Sequence, residues 1–312
     1  MPDSVARFLN RIQPKILIIM ETELWPNTIA ACHKRKIPLL LANGRLSEKS
    51  ATAYQRIQPL VRPMLEQLSA VAAQHGDDGA RFTDLGTADS ALTVTGNIKF
   101  DLSLDQAIRD KARQLLSEWR GVNQRTILLV ASTHRGEDEI ILDAFAQIKV
   151  EIENLLLVIV PRHPERFNQV AELCAATGFN LARRSSADKV DSADILLGDT
   201  MGELMSFFGA CDIAFVGGSL VPSGGHNMIE PAAWGVPIIT GPHLFNFSEA
   251  SQLLIEGNAM QVCQSAEQMA EQVVELLQNQ PRRAEMGSAA QRIADANRGA
   301  LDKLLRVIEK TI

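Results

Sequence analysis

Nine short apolar runs, each of strand length, recur along this chain of 312 residues and limit what it can fold into. They cover residues 16–20, 39–42, 70–73, 92–95, 127–131, 155–160, 195–197, 213–216 and 237–240. Runs this apolar suit parallel strands buried on both faces. Stretches with helical patterning, such as 137–150, 165–177 and 266–277, lie between them. Strand and helix therefore alternate, which predicts an α/β fold: parallel sheets with helices on both faces.

The length fits two such domains. Residues from about 124 to 297 supply a whole doubly wound domain, whereas 1–115 supply only about four strands. The run at 16–20 comes almost at once, with nothing upstream to provide a first βαβ unit. The expectation is a partial, truncated Rossmann-like domain over 1–115 and a complete one over 116–297, with 101–123 as the connection. The last helix, 298–312, is expected to pack back on the first domain.

Charge and composition narrow the partners. The net charge of −6 argues against nucleic acid. It is uneven: residues 1–70 carry ten Lys/Arg and five Asp/Glu, a balance of +5, which leaves −11 for the remainder. A basic first lobe fits an anionic headgroup layer or an ordinary solvated surface. Cys32, Cys174, Cys211 and Cys263 form no C-x-x-C pair, so neither zinc nor a disulfide framework is indicated, and a reducing cytoplasm is the natural setting. No apolar run approaches the ~20 residues of a membrane span.

The position of the polar residues carries the functional signal. Nearly every run ends in a polar or glycine cluster: Glu21-Thr22-Glu23-Leu24-Trp25-Pro26-Asn27 after the first, Asn43-Gly44-Arg45 after the second, then Gly96-Asn97-Ile98-Lys99 and Ser132-Thr133-His134. Pro161-Arg162-His163-Pro164-Glu165-Arg166, Gly198-Asp199-Thr200-Met201-Gly202-Glu203 and Gly217-Gly218-Ser219, with Gly224-Gly225-His226-Asn227 further on, continue the series. Ligands of open parallel sheets bind outside the carboxyl ends of the strands. Two such rims facing each other would form an interdomain cleft.

Individual residues support two readings each. The glycines of 217–227 lead into a helix start, where free N–H groups favour a phosphate, or they form a plain structural turn. Glu230, on the first turn of that helix, suits the hydroxyls of a ribose or a capping role. Arg162 suits a phosphate or carboxylate, or an ion pair within its loop. Thr200 and Glu203 match a capping box, and the same helix start could hold a nucleotide. Of Glu21 and Glu23, beside Trp25, only one is expected to face a ligand. Lys99 would neutralise a leaving phosphate or be solvated. His134, His163, His226 and His243 lie near strand ends without H-x-H or H-x-x-x-H spacing, so no metal site and no metal cofactor are expected.

Taken together, the clusters at 21–27, 161–167, 198–204 and 217–227 resemble the bacterial 3-deoxy-D-manno-octulosonic acid (Kdo) transferases, and the resemblance runs along essentially the whole chain. It implies a GT-B fold and transfer of Kdo from CMP-Kdo to a lipid A precursor, in lipopolysaccharide biosynthesis, at the cytoplasmic face of the inner membrane. It implies CMP contacts at Pro161 and Arg162, at Met201, Gly202 and Glu203, and at Asn227, Met228, Ile229 and Glu230. Glu21 and Lys99 it implies as catalytic, supporting a transition state with oxocarbenium character. The family's general base is a glutamate in a glycine-containing motif near the N-terminus, and no residue here matches it. An inverting transfer needs such a base, so the expectation is a chain that binds CMP but transfers poorly by itself. Two alternatives share the fold signal: another GT-B enzyme, such as a UDP-sugar transferase or UDP-sugar 2-epimerase, and a nucleotide-binding remnant without turnover.

Overall fold

The computed structural model describes residues 2–312 and divides into two compact units, Met1–Asp101 with Asn297–Ile312, and Leu102–Ala296. The first unit runs α1 (Pro2–Ile12), β1 (Leu17–Met20), α2 (Pro26–Lys34), β2 (Leu39–Gly44), α3 (Glu48–Arg56), α4 (Gln58–Leu65), β3 (Ala70–Ala73), α5 (Gly76–Leu85) and β4 (Leu92–Val94). The second runs α6 (Gln106–Arg120), β5 (Thr126–Thr133), α7 (Asp138–Glu151), β6 (Leu155–Pro161), α8 (Phe167–Ala176), β7 (Leu181–Arg183), β8 (Ile195–Leu197), α9 (Leu204–Phe208), β9 (Ile213–Val216), α10 (Ile229–Ala233), β10 (Ile238–Thr240), α11 (Ser248–Glu256), β11 (Met260–Val262), α12 (Ala266–Gln278) and α13 (Gln280–Ala296). A last helix, α14 (Ala300–Thr311), belongs to the first unit.

In the first unit the strands pair in parallel in the order β1-β2-β3-β4. Strand β2 is buried along its whole length because its alternate residues serve two cores. Leu39 and Leu41 pack with Ile29, Cys32, Val71 and Phe82. Leu40 and Ala42 face the other way, with Ala70, Ala72 and Leu304 of α14. The small side chains on that second face admit the helix closely. Asp101 fixes where it starts, its carboxylate accepting from the backbone N–H groups of Gly299 and Leu301, as an acid at a helix N-terminus should.

The second unit holds a seven-stranded sheet in the order β11-β10-β9-β5-β6-β8-β7, with every pairing parallel. One face buries Leu128, Val130, Leu157, Ile159 and Phe215 under α7, α8 and α12. The other buries Ile127, Leu129, Leu156 and Val158 under Trp119 of α6 and Phe207 and Phe208 of α9. The chain starts this sheet at the central strand β5, works outward through β6, and then returns to β9 on the opposite side. The order therefore reverses between β5 and β9, which makes the carboxyl ends of these two strands the switch point at which doubly wound sheets bind ligands.

Two strands escape sequence reasoning. β7 (Leu-Ala-Arg) and β11 (Met-Gln-Val) are the edges of the sheet. Having one neighbour each, they are only partly buried and carry no apolar run. The expected boundary at 115 falls inside α6, and the units part at Asp101 instead. Leu115 and Trp119 explain the difference: both insert fully into the second core. Much of the expected connection at 101–123 is therefore a structural helix of the second unit.

Phe145, fully buried on α7, meets Phe179 edge-on with ring centroids 4.9 Å apart. Phe145→Ala should cost about 3–5 kcal/mol, read as a lower denaturant midpoint for the transition of the second unit.

Candidate active site

At the carboxyl ends of β5 and β9, a single carboxylate organises the backbone. Glu137, immediately before α7, is wholly buried. Its Oε1 accepts from the N–H groups of Ser219 (2.9 Å) and Leu220 (2.8 Å), and its Oε2 from Gly218 (2.7 Å) and His134 (2.8 Å). The glycine turn that follows β9 is thus filled by an internal anion. Of the two readings open for 217–227, the structural turn holds for 218–220, since those N–H groups are already committed. Sequence reasoning missed Glu137. An acid at the start of a helix reads as a partner of the helix dipole, and nothing in its spacing reveals a reach of more than eighty residues.

The neighbouring acid braces the adjacent loop. Asp138, also fully buried, accepts from Thr133 Oγ1 (2.6 Å) and pairs with the guanidinium of Arg166, which donates in addition to the carbonyl of Thr133 (2.6 Å). Burial raises the Asp138 carboxyl, while Thr133 and Arg166 act against that shift. Arg166 therefore supplies the ion pair that holds the 161–167 loop, a role left open for Arg162. Pro161 ends β6 as a buried residue, and the backbone N–H of Arg162 donates to Thr133 (3.1 Å). The Arg162 side chain is exposed and forms no ion pair among the described residues. It is a cation still available to a ligand.

Around the switch point lie three histidines. Nε2 of His134 and Nε2 of His226 are 2.7 Å apart, their rings nearly parallel at 18°. His163 stands edge-on to His134 with centroids 5.4 Å apart. Gly218, at φ +68°, lies beneath the pair. A Cβ there would sit 2.9 Å from His226 Cδ2 and 3.1 Å from its Nε2, so only glycine admits the imidazoles. Burial, with the nearby charges of His134, Arg162 and His163, brings His226 down to about 4.

The residues expected to contact CMP divide into two groups. Asn227 lies two residues before α10; its Oδ1 accepts from Ile229 N (3.1 Å), and its Nδ2 donates to Glu230 Oε1 (3.1 Å). Burial raises the Glu230 carboxyl, opposed by Asn227 and by the charge of Arg162, which puts Arg162 within electrostatic reach. The side chains of Met228 and Ile229 are wholly in the core, so they can offer a ligand only backbone atoms.

The second group sits beyond β8. Met201 is exposed, and Gly202 has the left-handed φ of +83° with open space about it. The expected capping box is not formed, because α9 begins at Leu204 and the Glu203 side chain caps nothing. Glu203 instead binds the guanidinium of Arg184 through both oxygens (3.0 and 3.2 Å) and accepts from Thr200 Oγ1 (2.6 Å), with Lys111 at 3.7 Å. Hydrogen bonding to Arg184 is the main cause that holds its carboxyl below the ordinary range; burial opposes, and Thr200 and Lys111 assist. The bidentate geometry needs an arginine. β6 and β8 are adjacent, so this group and Arg162 share one edge of one sheet.

In the first unit, Glu21 and Lys99 form an ion pair of 2.7 Å, each about a third exposed. They follow β1 and β4, the outermost strands of the sheet. A buried asparagine brings them together. Asn43, at φ +53°, accepts from Ile98 N (3.1 Å) through Oδ1, and its Nδ2 lies 3.4 Å from Asn97 Oδ1. Residues 97–100 are thereby drawn over the strand ends toward Glu21, itself at φ +55°. Non-glycine residues seldom adopt this region and tend to mark sites of function when they do. Glu23 accepts instead from Trp25 Nε1 (3.0 Å).

A chain of two parallel sheets, with polar constellations at the carboxyl ends of the strands, has the architecture of a glycosyltransferase, and residues 126–293 match the family described as glycosyl transferases group 1. Residues 1–102 match the 3-deoxy-D-manno-octulosonic-acid transferase (kdotransferase) family. Over 311 residues the chain is 44% identical to the 3-deoxy-D-manno-octulosonic acid transferase of Haemophilus influenzae, spanning 99% of this chain and 72% of that protein. This chain belongs to the Kdo transferase family. Among solved structures, it resembles the C-terminal CMP-Kdo binding domain of WaaA from Acinetobacter baumannii at 34% identity and a TM-score of 0.58, covering 61% of this chain and 98% of that one. The UDP-GlcNAc 2-epimerase of Neisseria meningitidis shares the fold over 99% of this chain and 80% of its own, with a TM-score of 0.64 at 13% identity.

Two outcomes test this geometry. Glu137→Ala leaves four N–H donors without their acceptor and should cost about 3 kcal/mol or more, measured by chemical denaturation. Glu203, with its carboxyl depressed in the folded state, contributes stability that is fully present above its unfolded value of about 4.3 and is lost as pH falls through the folded one. Glu203→Gln should therefore be less stable than the parent at pH 7, with the difference narrowing on acidification below about pH 4, as followed by circular dichroism.

Proposed function

We propose that this protein transfers Kdo from CMP-Kdo to a lipid A precursor at the cytoplasmic face of the inner membrane. Membership of the Kdo transferase family supports the sugar and the reaction. The likeness of the second unit to a domain named for binding CMP-Kdo supports the donor. The observation that carries the reading is the coincidence of an uncommitted arginine, Arg162, with the Asn227–Glu230 pair at the switch-point edge of the second sheet.

Each group then has a task. Arg162 faces the phosphate of the donor, and Glu230, steadied by Asn227, accepts from the ribose hydroxyls. Met201, Gly202 and Glu203 border the base, with backbone atoms of Pro161, Met228 and Ile229 as further contacts. As the bond from Kdo to phosphate loosens, positive charge grows on the sugar ring and negative charge on the departing CMP. Arg162 stabilises the second of these. Glu21 and Lys99, an ion pair at the strand ends of the first unit, support the transition state as the family resemblance implies. An excess of positive charge over residues 1–70 suits an anionic headgroup layer. Among the described residues no helix is long and apolar enough to cross a membrane.

The test is a matched pair of measurements. CMP should raise the melting temperature, and UMP and UDP should raise it less. Arg162→Ala should weaken CMP binding about tenfold or more. Glu21→Gln should leave CMP binding intact while lowering the rate of Kdo transfer, slow as it is in the parent, about 10²-fold. A larger thermal response to UDP than to CMP would overturn the choice of donor, and unaltered transfer by Glu21→Gln would overturn the role of that acid.

A further inference from the structure

The histidine pair at the switch point has no task in the scheme above, yet it occupies the place where doubly wound sheets receive their ligands. His134 follows β5 and His226 lies in the loop after β9, the two strands between which the order reverses. At 2.7 Å the contact between their Nε2 atoms is a hydrogen bond, one ring donating an N–H and the other accepting. Such a pair carries no charge, and it gains a single positive charge when a proton is added to the Nδ1 of the donating ring, the accepting ring already carrying its own proton there. The backbone is shaped to hold the rings together: Gly218 leaves room beneath them, and Glu137 fixes both the N–H of His134 and the turn against which His226 rests.

Arg162, Arg166 and His163 act on His134 from the loop after β6, and all three oppose a further positive charge. Glu137 favours one, although its oxygens are engaged by four backbone donors, and Arg166 is offset by Asp138. Arg162 and His163 oppose a charge on His226 as well. Burial weighs in the same direction for both rings. The pair is thus held neutral in the free protein by an excess of local positive potential, which an anionic ligand would cancel.

We propose that His134 and His226 form part of the anion-binding surface of the donor site and take up one proton when the nucleotide binds. The inference rests on the reading of the second unit as a cytidine-nucleotide site. The ligand class it implies is a nucleotide carrying a phosphate, with or without a carboxylated sugar. The shared proton would give the site a positive charge only when an anion is present to use it.

Calorimetry with CMP at pH 7, in two buffers of different ionisation enthalpy, counts the protons. Wild-type protein should take up a measurable fraction of a proton per CMP, larger at about pH 6 than at pH 7. His134→Gln and His226→Gln should each abolish most of that uptake and weaken binding by about tenfold. CMP phosphate itself titrates near pH 6, to about that value, so the difference between parent and variants isolates the histidines. Nuclear magnetic resonance of the unaltered protein supplies a second reading that does not depend on the variants folding. The imidazole Cε1–H midpoints of the pair should rise by about one pH unit or more when CMP is added. Equal proton counts in parent and variants, or midpoints that CMP leaves in place, would overturn the assignment of the histidines alone. Failure of the unaltered protein to bind CMP would instead overturn the cytidine-nucleotide reading and this inference with it.

Discussion

A buried carboxylate with four backbone donors is the interaction on which the rest of the second unit's site depends. Glu137 joins the end of β5 to the turn after β9 across the reversal of the sheet. Desolvating a carboxylate is costly, and only a full set of donors offsets that cost. Here the donors are peptide groups of a turn that would otherwise bury them unsatisfied, so each partner solves the other's difficulty. Asp138, one residue on, does the same for the loop after β6 through Arg166. Two consecutive acids at one helix start therefore set the positions of three loops, and the residues left over, Arg162, His226 and Glu230, are those with capacity for a ligand.

The first unit achieves a comparable arrangement with neutral groups. Asn43 is buried and left-handed, and its amide reaches the segment 97–99. Without it Lys99 and Glu21 would stand at opposite margins of a four-stranded sheet. The strain of placing an asparagine, and beside it Glu21, in the left-handed region is modest for asparagine and larger for glutamate. Both lie at carboxyl strand ends, as does Ser132 of the other sheet, at φ +61°. Irregular backbone thus accumulates at the same end of both sheets.

Much of this was legible in the residues. Strands buried on both faces announce themselves as continuous apolar runs, and all nine such runs form strands. β7 and β11 were hidden because an edge strand needs no such run. The polar rims were visible as clusters, and the segments 161–162, 201–203 and 227–230 all follow strands at the carboxyl edge of one sheet. The pairings within the rim were not visible. Thr200 and Glu203 have the spacing of a capping box, but Arg184 offers two parallel hydrogen bonds where a cap offers one, and the stronger partner takes the carboxylate. Likewise, the histidines were weighed by spacing along the chain, which says nothing about a contact formed between loops that follow strands β5 and β9.

The return of α14 to the first sheet has a consequence for biosynthesis. Leu304 closes a face that Leu40, Ala42, Ala70 and Ala72 form more than two hundred residues earlier, and Asp101 waits for Gly299 and Leu301 to receive its carboxylate. Everything the second sheet needs lies in one uninterrupted stretch, Leu102–Ala296. On the ribosome, the portion translated later can thus reach its native packing while the portion translated first still exposes an apolar surface. Maturation of the amino-terminal lobe is tied to the synthesis of α14, and a chain that stops short of that helix would hold one finished lobe and one that cannot close.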